Sequence, residues 1–145
     1  MDQHAKIHEG GCLCGAIRYR AQGRPHHVSY CHCGQCRRHS GAPVAAFATY
    51  KSDAVTFERG AISWYRSSAI ARRGFCATCG TTMAWQGDAH ADWIDLGVGT
   101  FDDAGDFELQ DHLWLDSALP WFHVADDLPR YRRERPKSPS GTTTD

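Results

Sequence analysis

Seven cysteines, gathered into three tight clusters, constrain this chain more than any other feature. Cys12 and Cys14 form C-x-C, Cys31, Cys33 and Cys36 form C-H-C-G-Q-C, and Cys76 and Cys79 form C-A-T-C-G. The count is odd, so internal disulfide pairing cannot be complete. The opening segment MDQHAKIHEGG has no apolar stretch of the secretory type, so an intracellular, cytoplasmic location is expected. In a reducing compartment, clustered cysteines serve as metal ligands more often than as disulfides. Zinc prefers thiolates at tetrahedral corners, and two cysteines one or two residues apart can both reach one ion. The glycine after the second cysteine of C-x-x-C-G allows the chain to turn there.

The clusters divide in one economical way. Cys12, Cys14, Cys76 and Cys79 supply four thiolates from two distant half-sites, a closed structural zinc site. Cys31, Cys33 and Cys36 then form a three-thiolate site with one coordination position open, the pattern of catalytic zinc. Joining Cys31 and Cys33 to Cys76 and Cys79 instead would strand Cys12, Cys14 and Cys36. A redox dithiol is the main rival, but the βαβ pattern that accompanies such motifs is absent. An iron–sulfur cluster would want the familiar four-cysteine run. His32 lies inside the triplet, yet adjacent side chains on an extended chain point in opposite directions, so it reads as a neighbour rather than a ligand.

Composition sets the outer bounds. At 145 residues and 16.1 kDa the chain is one ordinary domain. A net charge of −1 excludes the polycationic footprint of many nucleic-acid binders, so nucleic acid is an unlikely partner. Mean hydropathy is −0.52, and no apolar run approaches the ~18 residues of a membrane span. Short strands are predicted over residues 16–20, 44–50, 55–58, 62–66, 70–75, 82–85, 93–98 and 112–115, punctuated by Gly and Asp. Residues 35–39 and 117–122 read as the only helical segments. Residues 1–10 read as loose, and residues 132–145, rich in Pro, Ser, Thr and charge, as a disordered tail. Its basic cluster, Arg130, Arg132, Arg133, Arg135 and Lys137, reads as solvated. Trp85, Trp93, Trp114 and Trp121 read as core, because large aromatics dominate small β cores.

The residues also resemble a known family. Gly11-Cys12-Leu13-Cys14-Gly15, Cys31-His32-Cys33-Gly34-Gln35-Cys36-Arg37 and Arg73-Gly74-Phe75-Cys76-Ala77-Thr78-Cys79-Gly80 resemble the glutathione-dependent formaldehyde-activating enzymes, a family that includes centromere protein V. Tyr65-Arg66-Ser67-Ser68, Gly99-Thr100-Phe101-Asp102, His112-Leu113-Trp114-Leu115 and Pro120-Trp121 extend the likeness, over residues 9–131 in all. The resemblance implies a mainly β, β-tent-like zinc fold of short antiparallel strands. It implies a structural zinc at Cys12, Cys14, Cys76 and Cys79 and a functional one at Cys31, Cys33 and Cys36. It also implies carbon–sulfur lyase chemistry of the S-(hydroxymethyl)glutathione synthase type, in which a thiol such as glutathione adds to a small aldehyde. Arg37, Arg72 and Arg73 are candidates to hold a substrate carboxylate by forked hydrogen bonds, with Arg72 at least as readily a surface charge. The other reading is a zinc-stabilised interaction module without catalysis, using the basic tail as its contact element.

Overall fold

The computed structural model describes residues 6–136. Ten strands form two sheets: β1 (Ile7–Gly11), β2 (Arg18–Gln22) and β5 (Val55–Arg59) make a three-stranded sheet in the order β1-β2-β5. The larger sheet holds β3 (His27–Cys31), β4 (Ala45–Lys51), β6 (Ser63–Arg66), β7 (Ala71–Phe75), β8 (Thr82–Gly87), β9 (Trp93–Gly97) and β10 (Asp111–Leu113), in the order β10-β3-β4-β9-β8-β7-β6. Pairing is antiparallel except that β10 runs parallel to β3. One α-helix, α1 (Gly34–Ser40), follows β3. The expected mainly β fold is present.

The large sheet has two working faces, and β4 shows why. A strand alternates its side chains across the sheet. Ala48 and Tyr50 face the main core with Tyr19, Met83, Leu96 and Phe101, while Ala45 and Phe47 pack with Cys36 on the other side. Burial on both faces explains why residues 44–50 read as a nearly unbroken apolar run. In β9 the same alternation sends Ile94 and Leu96 to the core and Asp95 to the opposite face.

Several expectations need correction. Residues 7–11 are not loose: they pair with β2, and the buried His8 ring meets Asp103 at 2.8 Å. That strand carries one aliphatic residue, too few to show alternation. Strand β3 was not anticipated, because histidine, serine and tyrosine interrupt its apolar pattern. Residues 117–122 are not helical; only a 3-10 turn at Leu115–Ser117 forms, and Pro120 disfavours helical backbone at the residue before it.

Residues 132–136, expected to belong to the tail, are ordered against the domain. Backbone amides of Trp114, Leu115 and Asp116 donate to the carbonyls of Arg133, Tyr131 and Arg132. Arg135 is seated on Asp111, with side-chain exposures of 11% and 4%. Its neighbours are also paired, Arg130 with Asp126 and Arg132 with Asp116. Arg135 is therefore spent on a buried carboxylate, while Arg130, Arg132 and Arg133 stay exposed beside theirs. Lys137 and the rest of the expected tail lie outside the described residues.

Candidate metal centre and catalytic cavity

The two cysteine half-sites converge because β1–β2 and β7–β8 end side by side. Each half-site is a tight turn in which a backbone amide donates to sulfur: Ile17 N to Cys12 Sγ at 3.2 Å, and Cys79 N to Cys76 Sγ at 3.5 Å. Gly15 and Gly80, directly after Cys14 and Cys79, both have φ of +82° with open space around them. Their requirement is thus conformational, since β-carbon-bearing residues avoid that region.

The sulfurs of Cys12, Cys14, Cys76 and Cys79 all lie within 4.8 Å of one another. Cys12 and Cys14 are 3.6 Å apart, and Cys14 and Cys76 are 3.9 Å apart. Tetrahedral ligands at a Zn–S distance of ~2.3 Å would be about 3.8 Å apart, so the donor set fits a tetrahedral thiophilic ion. The Thr81 hydroxyl, 3.1 Å from Cys79 Sγ, holds that thiol down to about 5. An amide at Ala16 favours the Cys14 thiolate, but desolvation and its thiol neighbours push Cys14 up to about 11. Crowded thiols cannot all ionise unaided, which is the electrostatic demand a cation answers.

The second group is Cys31 at the end of β3 with Cys33 and Cys36 at the start of α1, again within 4.8 Å of one another. Cys33 caps the helix, its sulfur accepting from Cys36 N at 3.3 Å. Contacts from Cys31 and Cys36 lower Cys33 to about 2, while Cys33 and Cys36 together raise Cys31 far above the ordinary thiol range. This trio lies against one wall of a cavity of about 740 Å³ on the second face of the large sheet. Phe47, Trp85, Leu113 and Trp114 supply apolar wall.

Among the three arginines, the fold selects Arg73. It is 5% exposed, lines the cavity, and donates from Nη1 to Cys36 Sγ at 3.4 Å. Its Nε–H is buried with no acceptor among the described residues. Arg72, on the opposite face of β7, stacks over Trp64 at 3.9 Å and donates to Gln86 Oε1, a structural role. Arg37 borders a separate 340 Å³ hollow with Leu119 and Trp121. The tryptophans also differ from expectation. Trp121 is 68% exposed, Trp85 and Trp114 are cavity wall, and Trp93 sits under Lys51.

His32 is not among the converging ligand atoms. It is 3% exposed and its Nε2 lies 2.9 Å from His112 Nδ1, while His112 Nε2 lies 2.9 Å from Asp126 Oδ2. The carboxylate fixes the order: His112 donates to Asp126, so its Nδ1 accepts from His32. Desolvation lowers His32 below the usual imidazole value, which favours the neutral ring. This chain ties the cysteine loop to the segment carrying Asp126, and nothing in the local sequence announces it.

The comparisons with known proteins bear on this site. The sequence profile of the glutathione-dependent formaldehyde-activating enzyme family matches residues 7–117, well over half the chain, and the match contains every cysteine of both groups. The chain belongs to this family. An uncharacterized lyase of Schizosaccharomyces pombe is 40% identical over 76 residues, which are 52% of this chain and 55% of that protein. The match thus spans about half the length of that curated relative. A crystal structure of a Rhodobacter sphaeroides protein, at 24% identity, superposes with a TM-score of 0.55 over 66% of this chain and 88% of the other, and shows the same fold. Among the described residues no helix is long and apolar enough to cross a membrane.

With two donor sets that could each hold a metal ion, one of four thiols and one of three, binding at two sites of unequal strength is the expected outcome. Elemental analysis of protein isolated without chelator should return close to two zinc per chain, one of which exchanges with a chelating dye much faster than the other. Iron with visible absorbance, or no metal, would overturn the assignment.

Proposed function

We propose that this protein is a zinc-dependent carbon–sulfur lyase that joins a thiol such as glutathione to a small aldehyde and, in reverse, releases it. The observation that supports this most is the open three-thiol group on the wall of the 740 Å³ cavity with a buried guanidinium on it. Cys31, Cys33 and Cys36 would hold the ion, leaving one position facing the cavity. A zinc ion there would favour the thiolate form of an incoming thiol and polarise a carbonyl. The reaction is redox-neutral. The substrate sulfur bonds to the carbonyl carbon, the π pair moves to oxygen, and oxygen takes up the proton that the thiol lost.

Arg73 has two tasks in this scheme. Three thiolates and a dication leave one net negative charge, which the guanidinium neutralises within a buried setting. The guanidinium, which lines the cavity, also places positive charge beside the substrate oxygen as negative charge develops there. The interaction-module reading loses support, because arginines 130, 132 and 135 are engaged with Asp126, Asp116 and Asp111.

The test is acceleration of S-(hydroxymethyl)glutathione formation from glutathione and formaldehyde over the spontaneous rate, followed by a panel of thiols and aldehydes. Arg73→Ala is expected to lower kcat/KM by about 10–100-fold, the usual effect of losing a group that supports a metal ligand. No acceleration with any thiol–aldehyde pair by zinc-replete protein would end the proposal.

A further inference from the structure

The cavity is far larger than formaldehyde needs. A molecule of that size occupies little more than a water, about 30 Å³ in the liquid, against 740 Å³ here. A thiol cosubstrate would take part of the space, and several polar groups of the cavity are already engaged with protein partners. Thr49 donates to Asp95 at 2.6 Å, and Arg135 donates to both Asp111 and Ser29 at 2.7 Å. Arg38 and Glu134 are exposed. Around the cysteine group, Arg73 and the exposed Gln35 are set among aromatic and aliphatic surface from Phe47, Trp85, Trp114 and Ile70.

Trp114 adds an independent sign. At φ 63° it is the single non-glycine residue with positive φ among the described residues. For a bulky side chain that conformation is rare and strained. It is held in place by the bond from its own amide to Arg133 and by those from Leu115 and Asp116. Such strain persists where surrounding structure over-determines it, and here it sets an indole into the cavity wall.

We infer that the cavity selects a substrate with an aromatic or bulky apolar substituent beside the reacting carbon, seated against Phe47, Trp85 and Trp114. This rests on the reading of the site as a thiol–aldehyde enzyme, so the experiment separates the two. In zinc-replete protein, the unreactive probes phenylacetamide and acetamide are titrated by tryptophan fluorescence. Phenylacetamide should bind at least about tenfold more tightly, the scale on which apolar pockets discriminate added hydrocarbon. Trp114→Gly, which suits the positive φ and so should fold, and Ile70→Ala, at a 70% exposed position, should each shrink that advantage. With glutathione, acceleration over the spontaneous rate should be at least about tenfold greater for phenylacetaldehyde than for formaldehyde. Equal binding of the two amides, or a preference for formaldehyde, overturns the inference. Selective phenylacetamide binding that both variants weaken, with no aldehyde accelerated, supports the apolar site and removes the thiol-addition reading.

Discussion

Cys79→Ala is expected to abolish stable folding, while Cys36→Ala leaves a folded protein with impaired function. Cys14 and Cys76 meet at 3.9 Å across 62 residues of chain, so an ion held there closes a long loop and joins the ends of the two sheets. Ligands that come together only in the folded state turn metal affinity into folding free energy. That affinity is ~10–16 kcal/mol for structural zinc, against ~5–15 kcal/mol for the whole stability of a domain. Loss of one ligand is therefore hard to survive. Cys31, Cys33 and Cys36 lie close together in sequence, and their cluster packs with Ala45 and Phe47 apart from the main core. Removing Cys36 should loosen α1 with the sheets intact. Thermal unfolding and zinc content of both variants decide the matter. If Cys36→Ala unfolds and Cys79→Ala does not, the division of roles is reversed.

Arg135→Ala is expected to lower stability by about 3 kcal/mol, the lower end of the cost of breaking a buried ion pair. Asp111 stays buried with His27 at 3.0 Å but loses the guanidinium bound at 2.7 Å. For a domain of this size that corresponds to a fall in Tm of roughly 6–12 °C by calorimetry. Arg132→Ala is the control: its side chain is 87% exposed beside Asp116, and such surface pairs contribute about 0–1 kcal/mol. Equal effects from the two variants would show that Asp111 does not need Arg135.

The same cluster predicts acid sensitivity. Burial pushes the Asp111 carboxyl up, but hydrogen bonds from His27, Arg135 and Ser29 outweigh it and hold it well below the usual range. A carboxyl depressed in the folded state contributes stability that is full above its unfolded value of about 3.9 and is lost as pH falls below it. Wild-type Tm should therefore drop on acidification below about pH 4, and this component of the drop should shrink in Asp111→Asn.

The local sequence was enough to mark the two cysteine groups that could hold a metal ion. Cysteines one to three residues apart reach a common ion by turn geometry alone, and the glycines at 15 and 80 reveal those turns because few other residues tolerate φ of +82°. Strands whose alternation is clean, such as the one carrying Ile94 and Leu96, were legible for the same local reason. Pairing Cys12 and Cys14 with Cys76 and Cys79 followed from donor counting, and the fold brings those four sulfurs together.

The cavity was decided elsewhere. Its floor is one face of a seven-stranded sheet, assembled from one or two residues of each of several strands, so no window of sequence contains it. Arg72 and Arg73 are adjacent in the chain, and only the pleat of β7 sends one to Trp64 and the other to Cys36. The strand at His27–Cys31 and the ordered stretch at 132–136 were hidden because polar residues there are satisfied by distant partners. His27 and Arg135 both reach Asp111, and His32 reaches Asp126 through His112. A side chain's composition records its own preferences. Whether a buried charge is tolerated depends on which partner arrives, and that is settled only when distant segments pack.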